Sequence, residues 1–249
     1  MMNNKCVLAV LPHPDDIEIL CAGTLIRLIG LGYEVHLAIM TPGDKGSAEL
    51  TRTQIASIRR REAQEGANII GAASCRCLEF SDLEIVFDNS ARRLLAGIIR
   101  QVDPFLVITT PPHDYMMDHI ITSQLVRDAC FNAGCKNYDA QGEAIPAIPY
   151  LYYTDAVGGV DMFGRDTPVS CTIDITAQIE LKTSALACHD SQRTWLRRQH
   201  GMDDYINSMQ SWSAKRGAKI GVDYAEAFVQ HRGHPHPQDD ILAELLNRV

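Results

Sequence analysis

The sequence contains no run of about 20 apolar residues, the length that a helix needs to cross a bilayer. It also lacks a basic excess, since 31 acidic residues outnumber 23 basic ones and give a net charge of −8. Nucleic-acid binding requires clustered lysines and arginines to neutralise phosphates. The amino terminus MMNNKCVLAV has no signal-peptide pattern. We therefore predict a cytoplasmic protein that inserts into no membrane and binds no nucleic acid.

Cysteine is sparse as well: eight residues in a chain of 249 are too few for a disulfide scaffold. Most of them lie inside apolar segments, where a free thiol packs as a small hydrophobe. Cys75 and Cys77 are separated by one residue of a predicted strand, so their thiols point to opposite faces. The sequence therefore argues against a cysteine metal site.

Apolar segments of strand length alternate with helix-period segments along the chain. Strands are predicted over 6–12, 34–41, 75–80, 105–110, 151–156 and 169–176. Helices are predicted over 22–32, 53–72, 89–102, 118–134, near 177–190 and roughly over 192–213. This order is typical of right-handed βαβ units. It predicts an α/β, Rossmann-like fold with a mostly parallel sheet and helices on both faces.

The stretch 140–168 is rich in proline and glycine and allows two interpretations. It is either a domain boundary or a loop before strands that extend the same sheet. We favour the second, which makes residues 1–249 a single domain. Near the carboxyl terminus, the run HRGHPH (231–236) resembles a chelating cluster. Its proline and glycine predict a mobile segment over 229–240 rather than a functional metal site.

The turn after the first strand lacks the glycines of a dinucleotide-binding loop. It reads Pro12-His13-Pro14-Asp15-Asp16, whose carboxylates would repel a pyrophosphate, and no Walker A motif occurs in the chain. The two prolines have fixed φ angles, so the chain leaves the sheet in a stiff form. His13 and Asp16 can converge on one point, which directs Asp15 elsewhere. The alternative interpretation is a polar turn whose acids cap the next helix.

The predicted fourth strand ends in a second histidine–aspartate cluster, PPHDYMMDH (111–119). In the strand order 3-2-1-4, this loop lies beside the first one, at the edge where open parallel sheets bind ligands. His13, Asp16 and one histidine of the second cluster would supply three ligands and leave a fourth position open, as in catalytic zinc sites. Zinc lowers the pKa of bound water toward about 7. Asp15, beside the metal, could take the proton.

The stretch PHPDDIEILCAGTL (12–25) resembles the A-H-P-D-D-x-E-x-x-x-G-G-T-L signature of the PIG-L/LmbE-like family. These are zinc enzymes that deacetylate N-acetylglucosamine units and related amides. Further matches are TPGDKGS (41–47), IRRREAQEGANIIG (58–71), LEFSDLEI (78–85), DHIITSQLVRDA (118–129), KTSALACHDSQ (182–192) and YAEAF (224–228). Together they span nearly the whole chain.

The resemblance implies a full set of site residues. The zinc ligands implied are His13, Asp16 and His119. Asp15 matches the general base of the family, and Arg59 and Asp82 match positions that contact the sugar. The last two have ordinary alternatives, because Arg59 could be a solvated arginine paired with a glutamate of its helix, and Asp82 could cap a turn.

One departure from the family pattern bears on the mechanism. Family members carry a histidine where this chain has Met116, and that histidine is thought to assist the tetrahedral intermediate. Methionine cannot donate a proton. Three explanations stay open: His113 fills the role, Asp15 acts as both base and acid, or the substrate differs from a simple acetamido sugar.

The sequence therefore predicts a zinc-dependent hydrolase that deacylates a small-molecule N-acyl amino sugar or its conjugate. It would use metal-bound hydroxide, with Asp15 as the general base. Two alternatives are a metal-dependent amidase acting on a non-sugar amide and a non-catalytic, metal-dependent sugar-binding protein. Whether the chain forms a homo-oligomer is left open by the sequence.

Overall fold

The computed structural model describes residues 5–193 and 205–246. Within these ranges seven strands form one sheet: β1 (Cys6–Leu11), β2 (Glu34–Ile39), β3 (Ser74–Cys77), β4 (Leu106–Thr109), β5 (Tyr150–Thr154), β6 (Cys171–Asp174) and β7 (Ala225–Gln230). The strand order is β3-β2-β1-β4-β5-β7-β6. The first five strands pair in parallel, and β7 is antiparallel to both β5 and β6. The predicted α/β fold is confirmed, together with the order 3-2-1-4.

Helices pack on both faces of this sheet. They are α1 (Asp16–Leu20), α2 (Ala22–Gly30), α3 (Arg52–Ile70), α4 (Asn89–Val102), α5 (Met117–Asn132), α6 (Ile179–Ala187), α7 (Tyr205–Ala218) and α8 (Ile241–Leu246). None of the helices in the described ranges is both long and apolar enough to cross a lipid bilayer.

Successive residues of β1 pack into two different cores, one on each face of the sheet. Val7 and Ala9 belong to a buried cluster that includes residues of α2 and α3. Leu8 and Val10 belong to the cluster that includes residues of α4 and α5. Side chains alternate between the two faces of a strand. Burial on both faces therefore explains the continuous apolar run by which the sequence predicts a central parallel strand.

Helix α3 shows how local sequence determines both ends of an element. Thr51 and Gln54 form a reciprocal capping box at its amino terminus, which satisfies backbone groups that the helix leaves unpaired. Gly71 follows its last residue with a φ of 87°, a left-handed conformation that glycine adopts without strain. The helix predicted over 53–72 is therefore observed within two residues of both predicted ends.

The region after β5 is predicted less completely. β5 lies within the 140–168 stretch and β6 follows it, and both strands belong to the same sheet as β1. The antiparallel strand β7 is not predicted, because Glu226 interrupts its apolar pattern. The helix predicted over 192–213 lies partly outside the described residues, and its described part, α7, begins at Tyr205.

A buried ion pair joins β7 to the amino-terminal part of the fold. The Lys182 ammonium lies 2.5 Å from Glu226 Oε1 and donates a second hydrogen bond to the Ile19 carbonyl at 2.8 Å. The Glu226 carboxylate also accepts from the backbone N–H groups of Gly23 and Thr24, at 2.9 and 2.8 Å. These groups open α2, where the helix dipole favours a negative charge. The network therefore ties β7, α6 and the first helices together.

His231 and His236 lie beside the amino-terminal end of β5, where the His231 N–H donates to the Leu151 carbonyl oxygen at 2.8 Å. His236 is buried, and its Nδ1 lies 3.1 Å from the carbonyl oxygen of Pro149. Its ring meets the His231 ring edge-on, with the centroids 4.5 Å apart. The mobility expected for 229–240 stays a prediction.

Candidate metal centre and active site

The turn after β1 positions three polar side chains at the carboxyl edge of the sheet. Asp15 adopts a left-handed backbone conformation, with φ at 103°, and directly precedes α1. For a residue with a Cβ, such a conformation costs of order 1–3 kcal/mol and persists only where surrounding contacts enforce it. The backbone N–H of His13 donates to Asp16 Oδ2 at 2.8 Å. This bond closes the turn and holds Asp16 against His13.

The ligands implied by the family resemblance lie together in the fold. His13 Nδ1 is 3.1 Å from Asp16 Oδ2, and His119 Nε2 is 3.5 Å from the same oxygen. One ligand atom from each of the three residues lies within 4.8 Å of the others. All three side chains are buried. The loops after β1 and β4 therefore meet, as the strand order predicts.

An unpartnered nitrogen shows that this cluster fits a cation. His119 Nδ1 lies 2.9 Å from Asp114 Oδ2, which directs Nε2 toward His13 and Asp16. His119 Nε2 is buried and has no hydrogen-bond partner. Leaving such an atom unpaired costs about 1–3 kcal/mol, and a metal ion would accept its lone pair. Two imidazole nitrogens and a carboxylate oxygen form a donor set that zinc accepts.

The second ring nitrogen of His13 faces two further carboxylates. His13 Nε2 lies 3.2 Å from both Asp82 Oδ1 and Asp118 Oδ2. The three residues form a second group close enough to hold an ion. Asp118 Oδ2 also accepts from the backbone N–H of Leu83 at 2.7 Å, which holds it in place. A carboxylate that accepts the outer ring proton of a ligating histidine orients the ring, and Asp118 is placed for this role.

The carboxylates around the two histidines stabilise positive charge. Burial lowers the pKa of His13, but hydrogen bonds to Asp118, Asp16 and Asp82 raise it by a larger amount. The net pKa of His13 therefore lies well above its ordinary value. The pKa of His119 is raised in the same way, since Asp16 and Asp114 outweigh its burial. A pocket that attracts protons to buried histidines also attracts a metal cation.

Asp15 lies beside the cluster and has its own partner. Its Oδ2 accepts a hydrogen bond from the Tyr205 hydroxyl at 2.5 Å, and both side chains are buried. Burial and the neighbouring Asp16 charge raise the pKa of Asp15 to about 6. A carboxyl with a pKa close to neutral can both accept and return a proton.

His13, Asp15 and Asp16 line a cavity of about 480 Å³, which we call the metal-site cavity. The Arg59 guanidinium lines this cavity, and its Nε and one terminal nitrogen have no hydrogen-bond partner. It approaches closely because the loop beside it carries glycine: a Cβ at Gly46 would lie 2.8 Å from the guanidinium carbon. The alternative of a solvated arginine paired with Glu62 is wrong, since Arg59 is buried and Glu62 accepts from Ser191.

The structure does not bring His113 into this cluster. Its side chain is exposed and lines a neighbouring cavity of about 630 Å³. Tyr115 and Met116, two and three residues further on, line the metal-site cavity instead. The acid role expected of His113 stays a prediction.

Sequence reasoning missed three residues that organise the site. Asp114 and Asp118 belong to the 111–119 motif, and an acid close to a ligating histidine is a signal for an orienting partner. Tyr205 carries no such signal. It lies 190 residues from Asp15, and only the packing of α7 over the first turn brings the two together.

We expect Asp114→Ala to lower the metal affinity by about 10–100-fold, because His119 loses the carboxylate that orients its ring. A competition titration against a chelator of known affinity measures the change. Asp139→Ala is the matched control, since Asp139 is an exposed aspartate that pairs with Arg93 on the surface. An unchanged affinity in Asp114→Ala would show that His119 is not held as a ligand.

The chain and its fold are similar to those of known proteins. Residues 8–130 match the PIG-L family model, described as GlcNAc-PI de-N-acetylase. The diacetylchitobiose deacetylase of Thermococcus kodakarensis is 27% identical over 193 residues, covering 76% of this chain and 70% of that protein. The 4-oxalmesaconate hydratase of Pseudomonas putida is 26% identical over 243 residues, covering 92% of this chain and 88% of the hydratase. The structure of N,N'-diacetylchitobiose deacetylase from Pyrococcus horikoshii matches with a TM-score of 0.79 and 26% identity, over 96% of this chain and 89% of that one.

Proposed function

This chain belongs to the PIG-L/LmbE-like family of N-deacetylases, and from that premise we propose that it hydrolyses the amide of an N-acetylated amino sugar or its conjugate. The products are acetate and the free amine. The observation that carries the proposal is the buried cluster of His13, Asp16 and His119 with Asp15 beside it. All four residues lie within the part of the chain that the family model matches.

We propose zinc (Zn²⁺) as the bound metal, held by His13, Asp16 and His119. Two nitrogens and one oxygen are a frequent ligand set for catalytic zinc, which keeps a fourth position open. Calcium and magnesium prefer oxygen ligands alone. When bound, zinc would supply a Lewis acid for the amide carbonyl and lower the pKa of its water toward about 7.

Asp15 is the proton carrier in this proposal. Its carboxylate lines the cavity beside the ligands and takes a proton from the attacking water. Once protonated by the attacking water, the same carboxyl can return that proton to the leaving amine. Of the three explanations for how the reaction proceeds with Met116 in place of the family histidine, this proposal adopts the second. A single residue, Asp15, serves first as base and then as acid.

We propose that Arg59 and Asp82 bind the sugar. The unpartnered donors of Arg59 lie in a buried position next to the cavity, and a ligand oxygen would satisfy them. Asp82 lines the same cavity and can accept hydrogen bonds from sugar hydroxyls. Lys45 helps to hold Asp82 in position, because its ammonium donates a hydrogen bond to the Asp82 carbonyl oxygen.

Acetate release tests the proposed function directly. Metal-free protein is reconstituted with zinc and incubated with N-acetylglucosamine and with N,N'-diacetylchitobiose. We expect acetate and free amine in equal amounts, lost on treatment with a chelator and restored by zinc. Sugar binding without acetate release would support the non-catalytic alternative, and release from non-sugar acetamides alone would support the amidase.

One comparison supports a second candidate function. The hydratase relative is matched over 92% of this chain, a larger share than the 76% matched by the Thermococcus deacetylase. A cluster that activates water could also serve addition of water to a carbon–carbon double bond. Hydration consumes a conjugated alkene, which ultraviolet absorbance follows, and it releases no acetate. Alkene loss in the absence of any amide hydrolysis would replace the deacetylase proposal.

We expect Tyr205→Phe to lower kcat by about tenfold with little change in KM or metal content, because Asp15 loses the hydroxyl that fixes its carboxylate. Steady-state kinetics and elemental analysis of the same preparation measure both quantities. Tyr33→Phe is the matched control, since Tyr33 packs against Phe105 and lies outside the metal-site cavity. A normal kcat in Tyr205→Phe would show that Asp15 needs no such partner.

A further inference from the structure

A second cavity adjoins the metal-site cavity and has no part in the proposed chemistry. Its volume is about 630 Å³, within the range of small-molecule binding sites. Two segments of the chain contribute residues to both cavities. Residues 111–113 line the second cavity and residues 115–116 the first, and residues 154–156 line the second while Val157 lines the first. Consecutive residues of the same two segments therefore border the two cavities.

The second cavity has an apolar and aromatic wall. Met162 and Phe163 line it with side chains that are 60% and 73% exposed. Tyr153 of β5 and Val229 of β7 line it as well. Large apolar side chains left exposed around a concave surface mark a site that binds an apolar partner.

Three of the four charged side chains that line this cavity, Asp155, Asp161 and Arg165, form ion pairs. Asp155 is paired with Arg216, and Asp161 is paired with Arg165. Arg232 forms no ion pair with any carboxylate in the described ranges, and its Nε donates to Gln230 Oε1 at 3.0 Å. The terminal nitrogens of a guanidinium present a planar pair of donors that matches a carboxylate or phosphate.

The metal-site cavity carries side chains of both charges, since Lys45 and Arg59 line it together with Asp15, Asp16 and Asp82. In the proposed function this cavity holds the sugar and its acyl group. An anionic substituent beyond the sugar would meet Arg232 in the second cavity, and that contact would orient the acyl group toward the metal ligands.

We propose that the second cavity binds the part of the substrate beyond the N-acetylated sugar, and that this part is an apolar or aromatic group bearing an anionic oxygen group. The inference rests on the proposed function, since it extends the same substrate. Arg232 binds the anionic group, and Tyr153, Met162 and Phe163 pack against the apolar part. The residues of this cavity determine which conjugate is preferred.

Two matched substrates test the proposal: the phenyl and the 4-carboxyphenyl β-glycosides of N-acetylglucosamine, with release of free amine measured for both. We expect the wild type to show a kcat/KM about fivefold higher for the carboxyphenyl compound, the scale of one partly exposed charge-assisted contact. Arg232→Gln should bring the ratio of the two kcat/KM values to about one. Arg61→Gln, an exposed arginine of α3 outside both cavities, should leave the ratio at its wild-type value. Equal kcat/KM values in the wild type, or a ratio that Arg232→Gln leaves unchanged, would overturn the proposal.

Direct binding separates this inference from the proposed function. The anionic probe 8-anilinonaphthalene-1-sulfonate is compared with neutral N-phenyl-1-naphthylamine by fluorescence titration. We expect Arg232→Gln to raise the Kd of the anionic probe about fivefold and that of the neutral probe much less. Phe163→Ala should weaken both. Arg232-dependent binding without deacetylation would reject the function and keep the site, whereas deacetylation without Arg232-dependent binding would reject the site alone.

Discussion

The His13→Ala, Asp16→Ala and His119→Ala variants are each expected to lose the tightly bound metal, which the wild type should carry at about one ion per chain. Each residue supplies one of three protein ligands, and two ligands hold zinc far more weakly than three. The loss should also leave a histidine or carboxylate of the cluster buried without its counterpart. Elemental analysis of protein freed of loosely bound metal by dialysis measures the stoichiometry.

The histidines of the 231–236 run provide the control for this experiment. His234→Ala and His236→Ala remove imidazoles that could bind metal but that lie outside the cluster. Both variants should keep the tight ion, although their weaker affinity for added nickel or zinc should fall. Full retention of metal in all three cluster variants would show that the site lies elsewhere.

We expect Asp15→Asn to keep the metal and to lose about 10²–10⁴ in turnover, the usual effect of removing a positioned acid–base group. Asparagine has nearly the same shape and can still pair with the Tyr205 hydroxyl, so the turn should stay intact. It cannot take up a proton, which is the property under test. Steady-state kinetics on zinc-loaded protein measure the loss. Metal loss as large as that of Asp16→Ala would mean that the roles of the two acids are reversed.

His113→Ala is the informative comparison for Asp15→Asn. If His113 supplied the proton to the leaving amine, its removal would lower turnover by at least tenfold at unchanged metal content. With Asp15 as the carrier of both transfers, the fall should be much smaller than that of Asp15→Asn. The two variants measured side by side therefore assign the proton that Met116 cannot supply.

The sequence was sufficient for the central half of the sheet and for the meeting of its two loops. The apolar run of β1 and the alternation of strands and helices give the order 3-2-1-4. That order places His13 and Asp16 beside the loop that carries His119. The inference needs only local patterns and a topological rule, and for this reason it required no knowledge of side-chain packing.

The remaining features depend on contacts between distant segments. The strand β7 is missed because Glu226 is a charged residue in a buried strand. Its burial is explained only by its ion pair with Lys182, which the local sequence does not show. Arg59 resembles a surface arginine in its helix, and only the approach of the loop at Gly46 shows that it is buried. Tyr205 donates a hydrogen bond to Asp15 although the two residues are 190 positions apart in the sequence. Patterns of neighbouring residues carry no information about such pairs.

The ion pair between Lys182 and Glu226 also has a consequence for biosynthesis. Glu226 emerges from the ribosome 203 residues after Gly23, whose N–H it accepts at the start of α2. Until then Lys182 has no counter-charge, and burying an unpaired ammonium costs about 3–5 kcal/mol. The turn that carries His13 and Asp16 lies directly before the two helices held by this pair. The contacts that hold these two helices are therefore complete only after β7 has been translated.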